Sequence, residues 1–416
     1  SGGERVGDGN RSVVAANASV TQTAFTPLVV CHPMTNLTRR VREPERSSIR
    51  VMYDLAESHD GDLVRLEVGE PDFDTPAHVV DAALAAARDG DTHYTPNAGT
   101  VSCRRAISGM LAERDGLDYG VDELCVTVGG MEALLLAVLA TVGPGEELIA
   151  PGPTWPNYET QAALADGTFT EVEMPAETGY DLDPDLVVDA MSDDTAAVVL
   201  TTPNNPTGRT FDPEDCQRVV DAAADHDAFV IADEVYLSLA YDDQARAIAE
   251  YADQPEHVLT VGSCSKAYAM TGWRLGWLAG DADLLERIVT VRESTTACPS
   301  SVAQAAAVAA LTGPQEPFEE MYAAFEARRD LVYDRIQEIE GVSCPRPEAA
   351  FYVFLDPGVD DALALAKYLL REHGVVLAPG SGFGAAGEGR LRLSFANSME
   401  RLDEGLDRLE AGLRAY

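Results

Sequence analysis

From residue 123 to about 290 the chain repeats one pattern, and that pattern restricts its fold more than any other feature. A short apolar run, rich in β-branched and small residues, ends in a loop of Gly, Pro, Asn or Asp, and a helical stretch or long connection follows. Runs of this kind lie at 123–128, 147–150, 171–174, 196–200, 228–232, 258–261 and 275–279. Near-continuous apolar strands separated this way predict a mostly parallel sheet with helices on both faces. Helices are expected at 77–88, 101–114, 131–142 and 213–226, with another running through Val289.

After Gly313 the texture changes. A long amphipathic helix is expected at 317–340, then a strand at 351–355, a helix at 361–373, strands at 375–377 and 391–395, and a last helix to Tyr416. The fold class read from this is α/β: a large domain at 76–312 on a seven-stranded, mostly parallel sheet, and a smaller α+β domain at 313–416. Residues 34–75, with a helix near 47–59 and a strand near 62–68, are expected to join the small domain. Length supports the division, since 416 residues exceed one simple core. Residues 1–33 lack pattern and read as a flexible extension, or as sequence ahead of a natural start at Met34. No charged segment followed by a long apolar core marks a signal peptide there.

Within that frame Lys266 stands out. The chain has only two lysines, Lys266 and Lys367, against 28 arginines. Lys367 lies in an ordinary amphipathic run. Lys266 sits at a strand end among small and aromatic residues, where arginine would serve any purely ionic purpose. Arginine neither gives up its proton nor forms an imine. Retaining lysine there points to an amine nucleophile. Ser263, Ser265 and Arg274 flank it, two hydroxyls and a planar fork suited to a phosphate group. An imine-forming lysine beside an anion site calls for pyridoxal phosphate.

Other loops offer candidates of less specific character. Gly129-Gly130 between a strand and a helix lets backbone N–H groups face an anion, although no third glycine or lysine completes a Walker or Rossmann pattern. Trp155, held among prolines, suits either a planar ligand or the core. Tyr94 reads equally as a core ring or an exposed phenol. Asn205 offers a neutral donor and acceptor within a tight turn. Asp233, directly after the apolar run 228–232, is costly to bury alone and would be stabilised by a protonated ring nitrogen.

Composition narrows the partners. The net charge is -40, from 70 acids against 30 bases spread along the chain, while 46% of residues are hydrophobic. An acidic shell over a normal interior argues against nucleic acid and anionic membranes as partners, and fits a salt-rich cytoplasm that screens the repulsion. Seven scattered cysteines show no metal-ligand spacing and fit a reducing compartment. No apolar run approaches a membrane span.

Nine stretches, taken together and in order, resemble fold-type I pyridoxal-phosphate enzymes of aminotransferase class I/II, in the aspartate/aromatic branch. They are GEPDFDTP (69–76), YTPNAG (94–99), VTVGG (126–130), PTWPNY (153–158), NNPTG (204–208), DEVY (233–236), SCSKAYAMTGWRLG (263–276), PGSGFG (379–384) and RLSFA (392–396). The resemblance implies that Lys266 carries the cofactor and shuttles a proton at the substrate Cα. It implies that Asp233 keeps the pyridine nitrogen protonated, that Tyr236 and Asn205 meet the ring hydroxyl oxygen, and that Trp155 stacks on the ring. Gly129, Gly130, Ser263, Ser265 and Arg274 correspond to phosphate contacts, with Met131 at the same turn. Arg392 corresponds to the grip on the substrate α-carboxylate, and Gly69 lines that end. Tyr94 corresponds to a tyrosine reaching the phosphate from the neighbouring subunit, which implies a homodimer.

The implied activity is transfer of an amino group from an L-amino acid to a 2-oxo acid such as 2-oxoglutarate, with no metal. Two departures bear on specificity. Some aspartate-using relatives carry lysine where this chain has Met131, which favours neutral or apolar donors unless a distant arginine serves acidic ones. Ala349 stands where the family often has glycine, adding a methyl near the substrate side. A C–S lyase or another elimination or decarboxylation activity would retain the same Lys266 and Asp233, and a non-catalytic cofactor-binding relative is a third reading.

Overall fold

The computed structural model describes residues 38, 40, 46–241 and 245–416. The extension at 1–33 lies outside the described residues.

The apolar runs form one seven-stranded sheet. Its strands are β1 (Leu124–Thr127), β2 (Glu147–Gly152), β3 (Thr168–Glu173), β4 (Thr195–Thr201), β5 (Phe229–Asp233), β6 (Val258–Ser263) and β7 (Gly276–Ala279). Their spatial order is β1-β7-β6-β5-β4-β2-β3. The contacts from β3 across to β6 are parallel, and β7 runs antiparallel to both β6 and β1. The expected mostly parallel α/β sheet is therefore present.

Alternation within the strands explains the layers. Leu148, Ala150, Ala197, Val199, Ile231 and Leu259 pack with the helix Gly129–Thr141 on one face. Ile149, Val198, Leu200, Val230 and Ala232 pack with Val219, Val220 and Ala223 of the helix Pro213–Asp225 on the other. Successive residues point to opposite faces, so covering both faces requires apolar residues throughout. Asp212 starts the second helix by accepting from Glu214 N, with proline in the first turn.

The C-terminal part carries a three-stranded antiparallel sheet in which β8 (Tyr352–Leu355) and β9 (Ala378–Pro379) flank β10 (Leu391–Ser394). Val64–Arg65 pairs in parallel with Val375–Val376, so the strand expected at 62–68 shrinks to two residues. Of the run expected at 375–377, Val375–Val376 forms the strand in the two-stranded sheet, and Ala378–Pro379 just beyond Leu377 joins the three-stranded one. Met52 and Ala56 of the helix Ser48–Glu57 share an apolar cluster with Val64, Leu365, Leu369, Leu393 and Leu406. The long helix Glu316–Gln337 adds Phe325, Val332 and Ile336 to that cluster.

Candidate active site

The chain leaves β2 outward to β3 and returns through β4, β5 and β6. A crevice outside the carboxyl ends of parallel strands is the expected ligand site at such a reversal. A cavity of about 500 Å³ opens there, lined by Asp233 from the end of β5, Ser263 from the end of β6, Ser265, Lys266 and Arg274 after it, Thr201 from β4, and Trp155 from the loop after β2. Gly69, Gly130, Met131, Asn205, Tyr236 and Arg392 line it as well.

Asp233 is 4% exposed. Its Oδ2 accepts from the Tyr158 hydroxyl at 2.5 Å, and that hydroxyl lies 2.8 Å from Thr201 Oγ1. Its Oδ1 has no partner among the described residues. Burial pushes this carboxyl up to about 6, against the pull of hydrogen bonds from the Tyr158 hydroxyl and the Val235 N–H and of the Lys266 charge. Lys266 Nζ donates to Gly69 O at 2.6 Å. Loss of hydration, helped by Arg392 and Arg274, lowers its ammonium to about 8. An amine so placed is more readily neutral than an exposed lysine.

Arg392 lies between the rings of Tyr352 and Phe383, at 4.4 and 4.8 Å from their centroids. It donates to Asn205 Oδ1 at 3.0 Å and to Glu67 O at 2.7 Å, while its Nε has no partner among the described residues. The Tyr236 and Tyr352 hydroxyls lie 2.8 Å apart, and burial pushes both phenols upward.

The phosphate-type residues converge on the diglycine turn. A Cβ on Gly129 would sit 2.5 Å from Arg274 Nη2, and one on Gly130 would sit 3.2 Å from Val235 Cγ1. Gly129 has φ +75°, a conformation open to glycine, and it begins the helix rather than preceding it as expected. The N–H groups of a first helical turn have no intrahelical carbonyl, which makes them anion donors. Ser263 Oγ donates to Ser265 Oγ at 2.8 Å and accepts from Ser265 N at 3.0 Å. Arg274 sits at φ +54°, an uncommon conformation for arginine, and donates to Thr271 O at 2.7 Å.

The family model for aminotransferase class I and II matches residues 61–409. This chain belongs to that family. The aspartate aminotransferase of Geobacillus stearothermophilus is 36% identical over 365 residues, covering 85% of this chain and 92% of that one. Aromatic-amino-acid aminotransferase 2 of Thermococcus litoralis is 35% identical over 386 residues, covering 91% and 98%. The solved structure of Thermus thermophilus aspartate aminotransferase with maleate superimposes with a TM-score of 0.86 at 36% identity, covering 90% of this chain and 99% of that one.

The chain is thus a fold-type I aminotransferase of the aspartate/aromatic branch, and an enzyme rather than a cofactor-binding relative without activity. Membership implies pyridoxal phosphate, and the cavity suits that group. The unpartnered Asp233 Oδ1 matches a protonated ring nitrogen, and the Gly129 turn under Arg274 leaves no room for a side chain where a phosphate would need close backbone approach.

Of the sequence candidates, Tyr94 stands apart. It is 92% exposed and does not line this cavity. Met131 is at the rim, 40% exposed, with its Sδ 3.5 Å from Gln161 Nε2. Sequence reasoning missed Tyr158, Thr201, Tyr352 and Glu67. Tyr158 lay inside a motif already noted and Tyr352 inside an expected strand, but a buried tyrosine reads as core unless its hydroxyl partner is known.

Proposed function

We propose that this aminotransferase moves the amino group of a neutral or apolar L-amino acid to a 2-oxo acid, 2-oxoglutarate being the acceptor to try first, in two successive half-reactions. The observation that carries the reading is one cavity lined by Lys266, by the buried Asp233 and by Arg392. Gly129, Gly130, Ser263, Ser265 and Arg274 would hold the phosphate of pyridoxal phosphate, with Met131 at the edge of that turn. Trp155 would cover the ring, Asp233 would meet its nitrogen, Tyr236 and Asn205 its hydroxyl oxygen, and Lys266 its aldehyde carbon. When bound, that cofactor supplies a sink for the electron pair left at the substrate Cα.

The chain's own residues do the rest. Arg392 binds the substrate α-carboxylate through its fork, worth roughly 1.5–3 kcal/mol, and Gly69 leaves room beside it. That grip orients the Cα–H bond toward Lys266. Lys266 Nζ takes the Cα proton and returns it at the far side of the half-reaction. Asp233 holds a proton on the ring nitrogen, in a setting where burial makes an isolated charge costly.

Three further readings belong to this proposal. A second copy of the chain would contribute Tyr94, whose loop is held by Gln304 donating to Thr95 Oγ1 at 3.0 Å and accepting from Thr100 N at 2.7 Å. Residues 76–312 would carry the cofactor and 313–416, with the described residues of 34–75, would form the smaller domain. The protein would work in the reducing, salt-rich cytoplasm of its cell. In support, the cysteines among the described residues are free, no helix there is long and apolar enough to cross a membrane, and arginines such as Arg335 and Arg408 each meet two acids.

A half-reaction screen tests the donor class. Each amino acid is mixed with the holoenzyme without acceptor, and loss of the cofactor's visible band is followed. Leucine, phenylalanine and tyrosine are expected to bleach it faster than aspartate, because Met131 offers no cation to a second carboxylate and Arg50, which also lines the cavity, is paired with Asp54 at 3.3 Å. Preference for aspartate would contradict the donor class, and release of ammonia with pyruvate from a cysteine conjugate would favour elimination instead.

A further inference from the structure

Behind the diglycine turn lies a buried ion pair that the proposed chemistry does not use. Arg292, fully buried in the last turn of the helix Ala282–Glu293, meets Glu132, which is 8% exposed in the first turn of the helix Gly129–Thr141. The contact is a fork: Nε to Oε1 at 3.2 Å and Nη2 to Oε2 at 3.1 Å. Oε2 also accepts from Val128 N at 2.5 Å, the residue just ahead of Gly129. The remaining arm of the guanidinium, Nη1, donates to Asn97 O in the loop that carries Tyr94. Asn97 Nδ2 in turn donates to Ala297 O at 3.0 Å, and Ala297 N donates back to Arg292 O at 3.2 Å.

A buried pair of this kind is weak as a source of stability, since desolvation offsets much of the attraction. Its geometry serves position. One carboxylate fixes the backbone entering the turn, and one guanidinium fixes that carboxylate and the 94–99 loop together. We infer that Glu132 and Arg292 are positioning residues that couple the diglycine turn to the Tyr94 loop, so that filling the anion site steadies that loop. The inference rests on the reading of the turn as the phosphate end of the cofactor site.

The test compares the wild-type protein with Glu132→Gln/Arg292→Met, which leaves no unpaired buried charge. Affinities for pyridoxal phosphate and for pyridoxal are measured from the visible band, and hydrogen exchange of peptides spanning 94–99 is followed with and without pyridoxal phosphate, each protein also carrying Tyr94→Phe in the exchange experiment so that no direct phenol contact with a phosphate slows the loop. The wild type should prefer the phosphorylated form, and its 94–99 exchange should slow on binding. In the double variant pyridoxal phosphate should bind roughly tenfold more weakly, pyridoxal as before, and the loop should no longer respond. Arg292→Lys, which keeps the charge but loses the fork, should show the same pattern more mildly, and it stands in if the double variant does not fold. Unchanged phosphate-dependent affinity, or a loop that still responds, overturns the coupling. A wild type that fails to prefer the phosphorylated form overturns instead the reading of the turn on which the coupling rests.

Discussion

Asp233 is a side chain whose burial costs stability, as the role proposed for it leads one to expect. Its pKa is raised to about 6 from 3.8, which corresponds to a penalty on the order of 3 kcal/mol for the ionised form. The sign follows from the raised folded-state value. The neutral carboxyl's contribution is fully present below the unfolded value and is lost as pH rises through about 6. In cofactor-free protein, Asp233→Asn should therefore raise stability near pH 8, by up to about 3 kcal/mol, and change little near pH 4. Denaturant unfolding across that range checks it, and equal stability at both ends would show that burial does not penalise this carboxylate. Asp233 and Lys266 were legible in the sequence because each is an unexpected residue type at a strand end. Tyr158 and Tyr352 were not, since only the folded chain reveals what their hydroxyls meet.

At the scale of elements, the turn between β1 and the helix Gly129–Thr141 is where backbone conformation would meet the chemistry of the proposed ligand. Gly129→Ala would place a Cβ at positive φ and against Arg274. The variant should lose roughly 1–2 kcal/mol of stability and bind pyridoxal phosphate more weakly, with pyridoxal little affected. Gly272→Ala, where an added Cβ meets nothing within 4 Å, is the control. Titration of both ligands decides it, and equal weakening for the two would place the phosphate elsewhere. The helices at 77–88 and 101–114 were readable to the residue because each begins directly after a start signal, Pro76 in one case and Thr100, whose side chain accepts from Cys103 N, in the other. Ser301–Thr312 was missed because it packs among neighbouring helices and its sequence is small and apolar, with little periodic contrast. Asn157–Leu164 was missed because a proline-rich loop runs straight into it.

For the whole molecule the dominant property is charge. A net charge of -40 repels itself in dilute buffer, and salt within a Debye length of a few ångströms screens it. Activity and the folded fraction are expected to fall together on prolonged desalting and to recover when molar potassium chloride is restored. Activity that survives desalting undiminished would refute the salt-adapted reading. Composition reveals such a surface at once, whereas pairings such as Val64–Arg65 with Val375–Val376 join distant stretches that local pattern cannot connect.

The central claim is that Lys266 is the amine that holds the cofactor, and the scarcity of lysine makes it directly testable. The protein is mixed with pyridoxal phosphate, reduced with borohydride, digested and mapped by mass. The phosphopyridoxyl group should be found on Lys266 alone, and Lys266→Ala should take up none and lose turnover. The label on Lys367 or on the terminal amine in its place, or a Lys266→Ala variant that works at the wild-type rate, would contradict the account.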